Sequence, residues 1–474
     1  MKIRIDYIIT RGLVLTGIVA LSWWLAKDPA KSFTLSVPGM DNRGKGVAVE
    51  ANVNIGEFYE SFGSLKSELK ETWPRFRGSD FDNICKSPVK LLEKFGSSGP
   101  VIKWKVEMGE GHAGAAIFRG EVYVLDHDEK IRADMLRCFS LEDGKEIWRR
   151  WYKVAVKRNH GMSRTVPAVT ENYVVTIGPK AHVMCVKRQN GDFLWGIDVG
   201  KQYESEIPLW YTGQCPLIVN DKALIATGGK SLIIAVDCAT GKVLWETPNP
   251  DKWKMSHSSI MPFEFGGRKM YVYSADGGVC GIAADGEDEG KILWETSKWN
   301  HKTVAPSPLC LPDGKIFLAA GYGAGSMMIQ LKTENGKFNV EVLKEYLPKD
   351  GLASEQQTPI YYMDHIFGIE PKDAGPLRNQ LVCFNPSDVT KLVWSSGQTA
   401  RFGLGPFIIA DKKMYILSDD GTLTIVRPDL KRYIQLEQVK LFDGHDAWGP
   451  FAIADGFMVL RDSKTLLCLD LRAK

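Results

Sequence analysis

The sequence of 474 residues predicts an all-β fold built from one repeated unit, and two recurring markers carry this prediction. The first marker is a glycine-containing turn that leads into a strand ending at tryptophan. In AVDCATGKVLW, residues 235–245, it consists of Asp237, Gly241 and Trp245. The motif returns as CFSLEDGKEIW ending at Trp148, CVKRQNGDFLW ending at Trp195, ADGEDEGKILW ending at Trp294 and CFNPSDVTKLVW ending at Trp394.

The second marker is a proline at the start of an apolar run, as in PFIIADKKMYIL and PFAIADGFMVL. It recurs in phase with the tryptophan motif at Pro167, Pro216, Pro262, Pro308, Pro359, Pro406 and Pro450, and Ala115 stands in the same place in AAIFRGEVYVL. The intervals between these eight positions are 44 to 52 residues. The chain therefore contains eight units of similar length.

Each unit alternates short apolar runs with polar turns, which predicts four antiparallel strands. Repeats of this length and pattern are typical of the blades of a β-propeller. The last unit ends at Lys474, before its own glycine turn and tryptophan strand. A strand of the missing type, VIKWKV, lies at residues 101–106, and its Trp104 precedes Trp148 by 44 residues. We therefore predict an eight-bladed propeller over residues 101–474 whose last blade is closed by an N-terminal strand.

The N-terminus carries a candidate export segment. Three basic residues within the first eleven positions precede an apolar run, GLVLTGIVALSWWLA, at residues 12–26. This arrangement is typical of a signal peptide or a short membrane anchor. The paired Trp23 and Trp24 favour an uncleaved inner-membrane anchor, with the rest of the chain on the periplasmic or extracytoplasmic side. If the segment is cleaved, the protein is secreted.

Four parts of the chain are predicted. Residues 1–26 form a signal anchor or signal peptide, 27–72 a polar tether, 73–100 an entrance segment packed on the propeller, and 101–474 the propeller. The tether is polar and interrupted by proline and glycine, which favours a flexible spacer, and a helix is expected within it at residues 57–70. The net charge of only +3 gives no general attraction to nucleic acid, so nucleic-acid binding is set aside as the main function.

The tryptophan repeat resembles that of the pyrroloquinoline-quinone (PQQ) dehydrogenases and of their non-enzymatic relatives, the BamB-like assembly lipoproteins. The segment WPRFRG at residues 73–78, followed by GPVIKWKV at 99–106, is similar to the start of PQQ-like propeller proteins. The resemblance covers about four fifths of the chain and implies the propeller fold. It is less specific for function, because one fold hosts many different sites.

The sequence departs from the dehydrogenases in features that their chemistry uses. Those enzymes typically have two adjacent bonded cysteines beside the cofactor, extra loops and acidic calcium ligands. No two of the nine cysteines are adjacent here, and no residue matches the family's catalytic aspartate or calcium ligands, so no catalytic residue and no metal ligand is assigned. Cys138, Cys185, Cys383 and Cys468 occupy the place of Ala235 in the repeat, and we expect packed free thiols there.

The candidate binding surface follows from propeller topology, because the segments before the inner strands gather at one mouth of the central channel. These segments are MGEGHAG, GMSRTV, YTGQC, SHSSIM, KTVAPS, SEQQT, RFGLG and HDAWG. They contribute charged, amide, imidazole and aromatic side chains at Glu110, His112, Arg164, Tyr211, Gln214, His257, Lys302, Glu355, Gln356, Arg401, His445, Asp446 and Trp448. Such side chains recognise a carboxylate-rich ligand or a protein loop, and a polar rim with internal salt links is the alternative.

We therefore expect a monomeric, exported, membrane-anchored propeller that acts as a binding or assembly scaffold for an envelope protein and needs no cofactor. Whether it is an enzyme stays open. A quinoprotein dehydrogenase that oxidises an alcohol or sugar would hold PQQ and calcium in the same mouth, with the PQQ carboxylates on Arg164, Lys302 and Arg401. A polysaccharide-binding protein would use stacking platforms at Tyr211, Phe402 and Trp448.

Overall fold

The computed structural model describes residues 5–27, 52–64, 66–97, 99–159, 161–444 and 446–473, and it divides into two compact units, 1–52 and 53–474. The described part of the first unit contains one helix, α1 (Ile5–Ala26). Its segment Ile9–Ala26 is long and apolar enough to cross a membrane, and none of it is buried against protein. The helix is compatible with the predicted anchor or signal sequence.

The second unit begins with four strands that precede the first complete repeat. They are β1 (Phe58–Ser61), β2 (Thr72–Trp73), β3 (Ile84–Cys85) and β4 (Val101–Glu107). Blade 1 contains β5 (Ala116–Phe118), β6 (Glu121–Asp128), β7 (Ala133–Ser140) and β8 (Glu146–Lys153). Blade 2 contains β9 (Ala168–Val169), β10 (Tyr173–Ile177), β11 (His182–Lys187) and β12 (Phe193–Asp198), followed by the short helix α2 (Val199–Gln202).

The next four blades repeat this order from inner to outer strand. Blade 3 contains β13 (Leu217–Val219), β14 (Lys222–Ala226), β15 (Ser231–Asp237) and β16 (Val243–Pro248). Blade 4 contains β17 (Met261–Phe265), β18 (Arg268–Ala275), β19 (Gly278–Ala283) and β20 (Ile292–Thr296). Blade 5 contains β21 (Leu309–Cys310), β22 (Lys315–Ala320), β23 (Gly325–Glu334) and β24 (Lys337–Tyr346). Blade 6 contains β25 (Ile360–Tyr362), β26 (His365–Ile369), β27 (Leu381–Asn385) and β28 (Asp388–Ser395), and 3-10 turns lie at Pro348–Asp350 and Gly375–Leu377.

The last two blades complete the ring. Blade 7 contains β29 (Phe407–Ala410), β30 (Lys413–Leu417), β31 (Thr422–Val426) and β32 (Gln435–Lys440). Blade 8 contains β33 (Ala452–Ala454), β34 (Phe457–Arg461) and β35 (Thr465–Asp470), and its outer strand is β4 from the other end of the sequence. Cys468 lies opposite Trp104 in this pairing. The predicted eight-bladed, four-stranded propeller and its closing strand are confirmed.

Three short strands extend the blades beyond the predicted pattern. β1 pairs with the outer strand of blade 1, β2 pairs with its inner strand, and β3 runs parallel to the inner strand of blade 7. The helix expected at residues 57–70 is therefore wrong, because part of that segment forms β1. The edge of β8 offers unpaired backbone groups, and the Phe58 ring stacks on Trp151 with centroids 5.6 Å apart. This pairing outweighs the local preference for helix.

The tryptophan motif joins four successive pairs of blades, from blade 8 through blades 1, 2 and 3 to blade 4. The indole of Trp195 in blade 2 lies against Gly241 in blade 3, and its N–H donates to the Cys238 carbonyl at 2.9 Å. A Cβ atom on Gly241 would lie 2.7 Å from the ring of Trp195. Gly241 also has a φ of 75°, which glycine adopts without steric cost. The same contact recurs for Trp104 on Gly144, Trp148 on Gly191 and Trp245 on Gly290.

The entrance segment packs against several of the inner strands. Arg77 is buried and donates to the carbonyls of Phe81, Thr358 and Pro359, while the Val169 N–H donates to the carbonyl of Pro74. Thr358 and Pro359 directly precede the inner strand of blade 6, and Val169 lies on the inner strand of blade 2. Between this segment and the inner strands of blades 7 and 8 the void measures about 10 Å³, which is room for one water molecule, whereas a second void between residues 77–82 and the inner strands of blades 4 and 5 measures about 340 Å³.

The hydrophobic cores lie entirely within the second unit. The six clusters of buried apolar side chains draw on the blades and the segments before them, and no described side chain of α1 is buried. The unit 53–474 therefore contains the strands and the cores that it needs to fold by itself.

We predict that Gly241→Ala destabilises the propeller far more than Gly336→Ala. Both glycines have a φ of 75°, so both substitutions carry the left-handed backbone cost of about 1–2 kcal/mol. Only at Gly241 does the added Cβ meet a neighbour, because the space around Gly336 is open within 4 Å. The clash with Trp195 adds about 1–3 kcal/mol. Urea denaturation of fragment 53–474 measures the difference, and equal losses would show that the docked tryptophan tolerates displacement.

Candidate functional site

The channel mouth is formed by two sets of connections on one face of the ring. The first set is the predicted one, the segments that precede the inner strands. The second set is the turns between the second and third strands of each blade. The two sets contact each other directly, since the Leu404 N–H donates to Asp419 and Lys372 lies 3.4 Å from the Glu355 carboxylate. The mouth therefore draws two connections from each blade.

A chain of hydrogen bonds fixes the mouth segments of blades 2 to 6. The Val166 N–H donates to Cys215 Sγ at 3.2 Å, and the Cys215 N–H donates to Ser259 Oγ at 2.9 Å. The Ser259 N–H then donates to Ser307 Oγ at 3.0 Å, and the Ser307 N–H donates to Thr358 Oγ1 at 2.8 Å. Each bond joins one blade to the next, so the loops above them start from fixed positions.

The most exposed apolar group of the mouth is an aromatic bridge formed by Leu209, Trp210 and Tyr322. Trp210 precedes the inner strand of blade 3 and stacks on Tyr322 of blade 5, with centroids 5.3 Å apart and planes 23° apart. It also packs near His257 of blade 4, at 6.2 Å. Leu209 is 75% exposed and Tyr322 50% exposed. Lys372 lies 5.0 Å above the Tyr322 ring.

The backbone holds the aromatic bridge in a strained shape. The Tyr211 hydroxyl donates to the Lys157 carbonyl at 2.5 Å, and Asn159 Nδ2 donates to the Leu209 carbonyl at 2.9 Å. Tyr211 and Tyr322 both adopt positive φ, 69° and 59°, although neither is glycine. Strain of this kind clusters at functional sites, where the surrounding structure fixes a conformation in advance of binding.

Burial and a partly buried cation, Arg164, together keep the histidine beside the aromatic bridge uncharged. Arg164 Nη2 donates to the Asn159 carbonyl at 2.8 Å, and burial lowers the pKa of Arg164 to about 10, so that it stays charged at neutral pH. Burial, and next the charge of Arg164, lower the pKa of His257 to about 4. His257 is therefore neutral at pH 7 and packs as an uncharged ring.

The turn of blade 7 that carries Asp419 and Asp420 is acidic. Burial, with smaller contributions from the carboxylates of Asp446, Asp420 and Glu355, raises the pKa of Asp419 to about 6. Its Oδ1 atom accepts the Leu404 N–H at 2.7 Å, which favours the charged form but does not reverse the shift. The mouth thus combines an aromatic and cationic side with an acidic side.

Several predicted mouth residues are engaged by neighbouring side chains. Glu110 accepts a hydrogen bond from Arg158 Nε at 2.8 Å. His112 is buried and stacks on Trp448, with ring centroids 3.6 Å apart. Glu355 is buried as well. These side chains form part of the rim and project little beyond it.

Two other predicted residues bind the backbone. Gln214 is fully buried, and its amide donates to the Ala226 carbonyl at 2.5 Å and accepts the Ala226 N–H at 3.0 Å. Arg401 donates to the carbonyls of Gln398 and Arg378. Both therefore hold the loops and strands that carry the mouth.

The remaining predicted residues differ in their access to solvent. Lys302 and Asp446 are exposed, and Gln356 and Trp448 are half-buried. His445 lies outside the described residues.

No PQQ or calcium site is shown among the described residues. Arg164 and Arg401, two of the three cations expected to hold the PQQ carboxylates, donate to backbone carbonyls instead. The described part of the chain holds no cluster of three or more His, Cys, Asp or Glu side chains that could bind a metal ion. Phe402 is only 2% exposed, so the expectation that it offers a stacking platform is wrong.

Sequence reasoning missed four residues of the mouth, namely Trp210, Tyr322, Lys372 and Asp419. Trp210 directly precedes the predicted segment that starts at Tyr211. The other three lie in turns between second and third strands, which share the mouth face with the segments before the inner strands. That rule of propeller topology would have drawn attention to these turns, although it would not have identified the stack.

We predict that the stability of the Asp419→Asn variant, relative to that of the unchanged protein, increases as the pH rises. The pKa of Asp419 is higher in the folded than in the unfolded state. The stabilisation that its protonated form gives the fold is therefore fully present below about pH 4 and is lost as the pH rises through about 6. Asparagine mimics the protonated form and keeps an acceptor for Leu404. The melting temperature of fragment 53–474 between about pH 4 and 7 measures the relative gain, equivalent to about 1–3 kcal/mol.

The neighbouring Asp420→Asn is the control, and its sign is opposite. Burial opposes ionisation there, but hydrogen bonds from Thr422 and the charge of Lys440 lower the pKa of Asp420. That variant should lose stability relative to the unchanged protein as the pH rises. The same trend in both variants would contradict the assignment of Asp419 as the destabilised carboxylate.

Comparisons with known proteins agree with this fold. BamB from Moraxella catarrhalis has a TM-score of 0.50 at 9% identity, covering 79% of this chain and 98% of that one. The designed protein Ika8 has a TM-score of 0.50 at 12% identity, covering 78% of this chain and 100% of its own. Quinohemoprotein alcohol dehydrogenase from Comamonas testosteroni has a TM-score of 0.45 at 11% identity, covering 85% and 81%.

At such identities these likenesses concern the fold alone, and no curated protein matches the sequence. The family model described as outer membrane protein assembly factor BamB matches residues 101–210 and 132–388, which together span more than half of the chain. The chain therefore belongs to this BamB-like family of PQQ-type propellers.

Proposed function

We propose that the protein is a non-enzymatic binding scaffold that holds an envelope protein at its channel mouth. The aromatic bridge carries this proposal. Large aromatic side chains surrounded by charged groups dominate the energy of protein interfaces, and Trp and Tyr are enriched among them. Leu209 and Tyr322 expose apolar surface that a partner would cover, and the fixed loops beneath them reduce the entropy lost on binding.

The charges around the bridge indicate the kind of surface that fits. Lys372 and Lys302 are exposed on the mouth, whereas Asp419 and Asp446 give the other side a negative potential. A partner loop that inserts an apolar side chain at the bridge, with an acidic residue towards Lys372 and a basic residue towards Asp446, would match both sides. Complementary charges of this kind mainly set specificity and the rate of association.

The N-terminal helix indicates where in the cell this activity would take place. If α1 anchors the chain, the propeller is held near the membrane on the extracytoplasmic side, and partners in the same membrane meet it at a raised effective concentration. A scaffold can then work with a modest intrinsic affinity. The membership in the BamB-like family is consistent with an assembly role of this type.

A photo-crosslinking amino acid at Leu209 of the full chain tests the proposal. We expect a defined covalent adduct in envelope membranes, because Leu209 is 75% exposed beside the stack. The same amino acid at Leu244, which is 45% exposed on the outer strand of blade 3, is the matched control and should give no such adduct. Equal adducts at both positions would contradict binding at the mouth.

Substitution of the stacked residues distinguishes binding at the aromatic bridge from nonspecific crosslinking at an exposed position. Trp210→Ala with Tyr322→Ala should reduce the Leu209 adduct at least tenfold, because the apolar anchor is removed. Lys372→Glu should weaken it and change its salt dependence. Full adduct formation in the double variant, with an unchanged melting temperature, would show that the bridge does not carry the interaction.

A titration with PQQ and calcium tests the dehydrogenase alternative. We expect no rise in the melting temperature of fragment 53–474, because Arg164 and Arg401 are held by backbone carbonyls. A ligand that binds only the folded state would raise the melting temperature with the logarithm of its concentration above its dissociation constant. A calcium-dependent rise of this form would therefore overturn the scaffold proposal and justify a screen of alcohols and sugars.

A further inference from the structure

Two cysteines meet at the boundary between blades 2 and 3. Cys185 lies on β11 opposite Trp195, and Cys238 lies in the turn of blade 3 on which that tryptophan docks. Cys185 Sγ is 3.5 Å from the carbonyl oxygen of Cys238. Both residues have an exposed fraction of 0%. The tryptophan contact between the blades thus brings Cys185 Sγ against the backbone of Cys238 in a buried boundary.

The repeat explains why this pair is unlike the other cysteines. Cys468 of blade 8 stands opposite Trp104 as Cys185 stands opposite Trp195, and its Sγ lies 3.8 Å from the carbonyl oxygen of Leu141. Leu141 occupies the same place in its motif as Cys238 does in AVDCATGKVLW. The contact is therefore a regular feature of the ring, and at the boundary between blades 2 and 3 it places a thiol on both sides.

We propose that Cys185 and Cys238, which are free thiols in this structure, are joined by a disulfide bond in the exported protein. The two thiols lose two protons and two electrons as the sulfur–sulfur bond forms. The electrons pass to the disulfide of a thiol oxidant, a protein or oxidised glutathione, which is reduced to two thiols. The bond would join adjacent blades across 53 positions of sequence. A cross-link over so long a loop stabilises a protein mainly by restricting the unfolded chain.

Burial determines when the bond forms. The contact with Cys238, followed by burial, raises the pKa of the Cys185 thiol well above its usual value. The folded, reduced protein therefore presents almost no thiolate, and the thiolate is the reactive form. Oxidation belongs to the folding step in an oxidising compartment, before blades 2 and 3 close. Once formed, the bond would be shielded from soluble reductants.

The first test maps the cysteines of the full chain purified from the cell envelope. The protein is denatured without reductant, alkylated with N-ethylmaleimide and digested. We expect two peptides linked by a disulfide between Cys185 and Cys238. Cys468 and Cys138 should be recovered in alkylated form, which identifies them as free thiols in the purified protein. The protein produced in a reducing cytoplasm should show both partners alkylated. Recovery of alkylated Cys185 and Cys238 from the envelope protein at full yield would overturn the proposal.

The second test measures what the bond contributes. Cys185→Ala replaces the thiol with the side chain that blade 3 uses at Ala235, so the packing is preserved as closely as the repeat allows. We expect the melting temperature of the envelope protein to fall by roughly 4–10 °C, and that of the cytoplasmic, reduced protein to change far less. Cys238→Ala should behave in the same way.

Cys468→Ala is the matched control, because it removes a buried thiol that faces Leu141 rather than cysteine. Its effect on the melting temperature should be equal in the oxidised and reduced proteins. An equal effect of Cys185→Ala in both proteins would show that Cys185 contributes packing alone and would contradict the disulfide.

Discussion

The packing of a tryptophan from one blade against a glycine of the next is the interaction on which the ring depends. A four-stranded blade has two apolar faces and cannot bury them alone, so neighbouring blades must cover each other. The indole of Trp195 spans the gap and donates to the Cys238 carbonyl, and Gly241 leaves the space that the ring needs. Because this contact recurs at four successive boundaries, from blade 8 to blade 4, the residues that make it recur in the sequence.

The same constraint decides what the sequence could predict. The number of blades, the closing strand and the loops of the mouth follow from the register of the repeat, and each was predicted from the positions of proline and tryptophan. β1 and the entrance segment around Arg77 do not repeat. They depend on a free strand edge and on carbonyl groups that only the assembled ring presents. Local sequence preferences carry no information about such partners.

In the candidate site too, some features follow from the repeat and others depend on tertiary contacts. The segments of the mouth were predictable, but the stack of Trp210 on Tyr322 joins two loops that lie on either side of blade 4. Its formation depends on the path of each loop in space. Phe402 was misjudged for a related reason, since an aromatic residue in a mouth segment can turn into the core as readily as towards solvent. Side-chain direction in irregular loops is set by tertiary contacts.

The ring is not uniform around its axis, and this bears on how the mouth works. The hydrogen-bonded chain from Val166 to Thr358 covers blades 2 to 6, and the aromatic bridge stands above this stretch. At the corresponding places near the closure of the ring, Gly114 and Gly405 allow close backbone packing, since a Cβ there would lie 2.5 Å from the Pro450 carbonyl and 2.2 Å from the Leu417 carbonyl. The entrance segment packs against the inner strands of this ring. Under the scaffold proposal, recognition would rest on loops held in fixed positions at the surface, an arrangement suited to a large partner that covers the mouth.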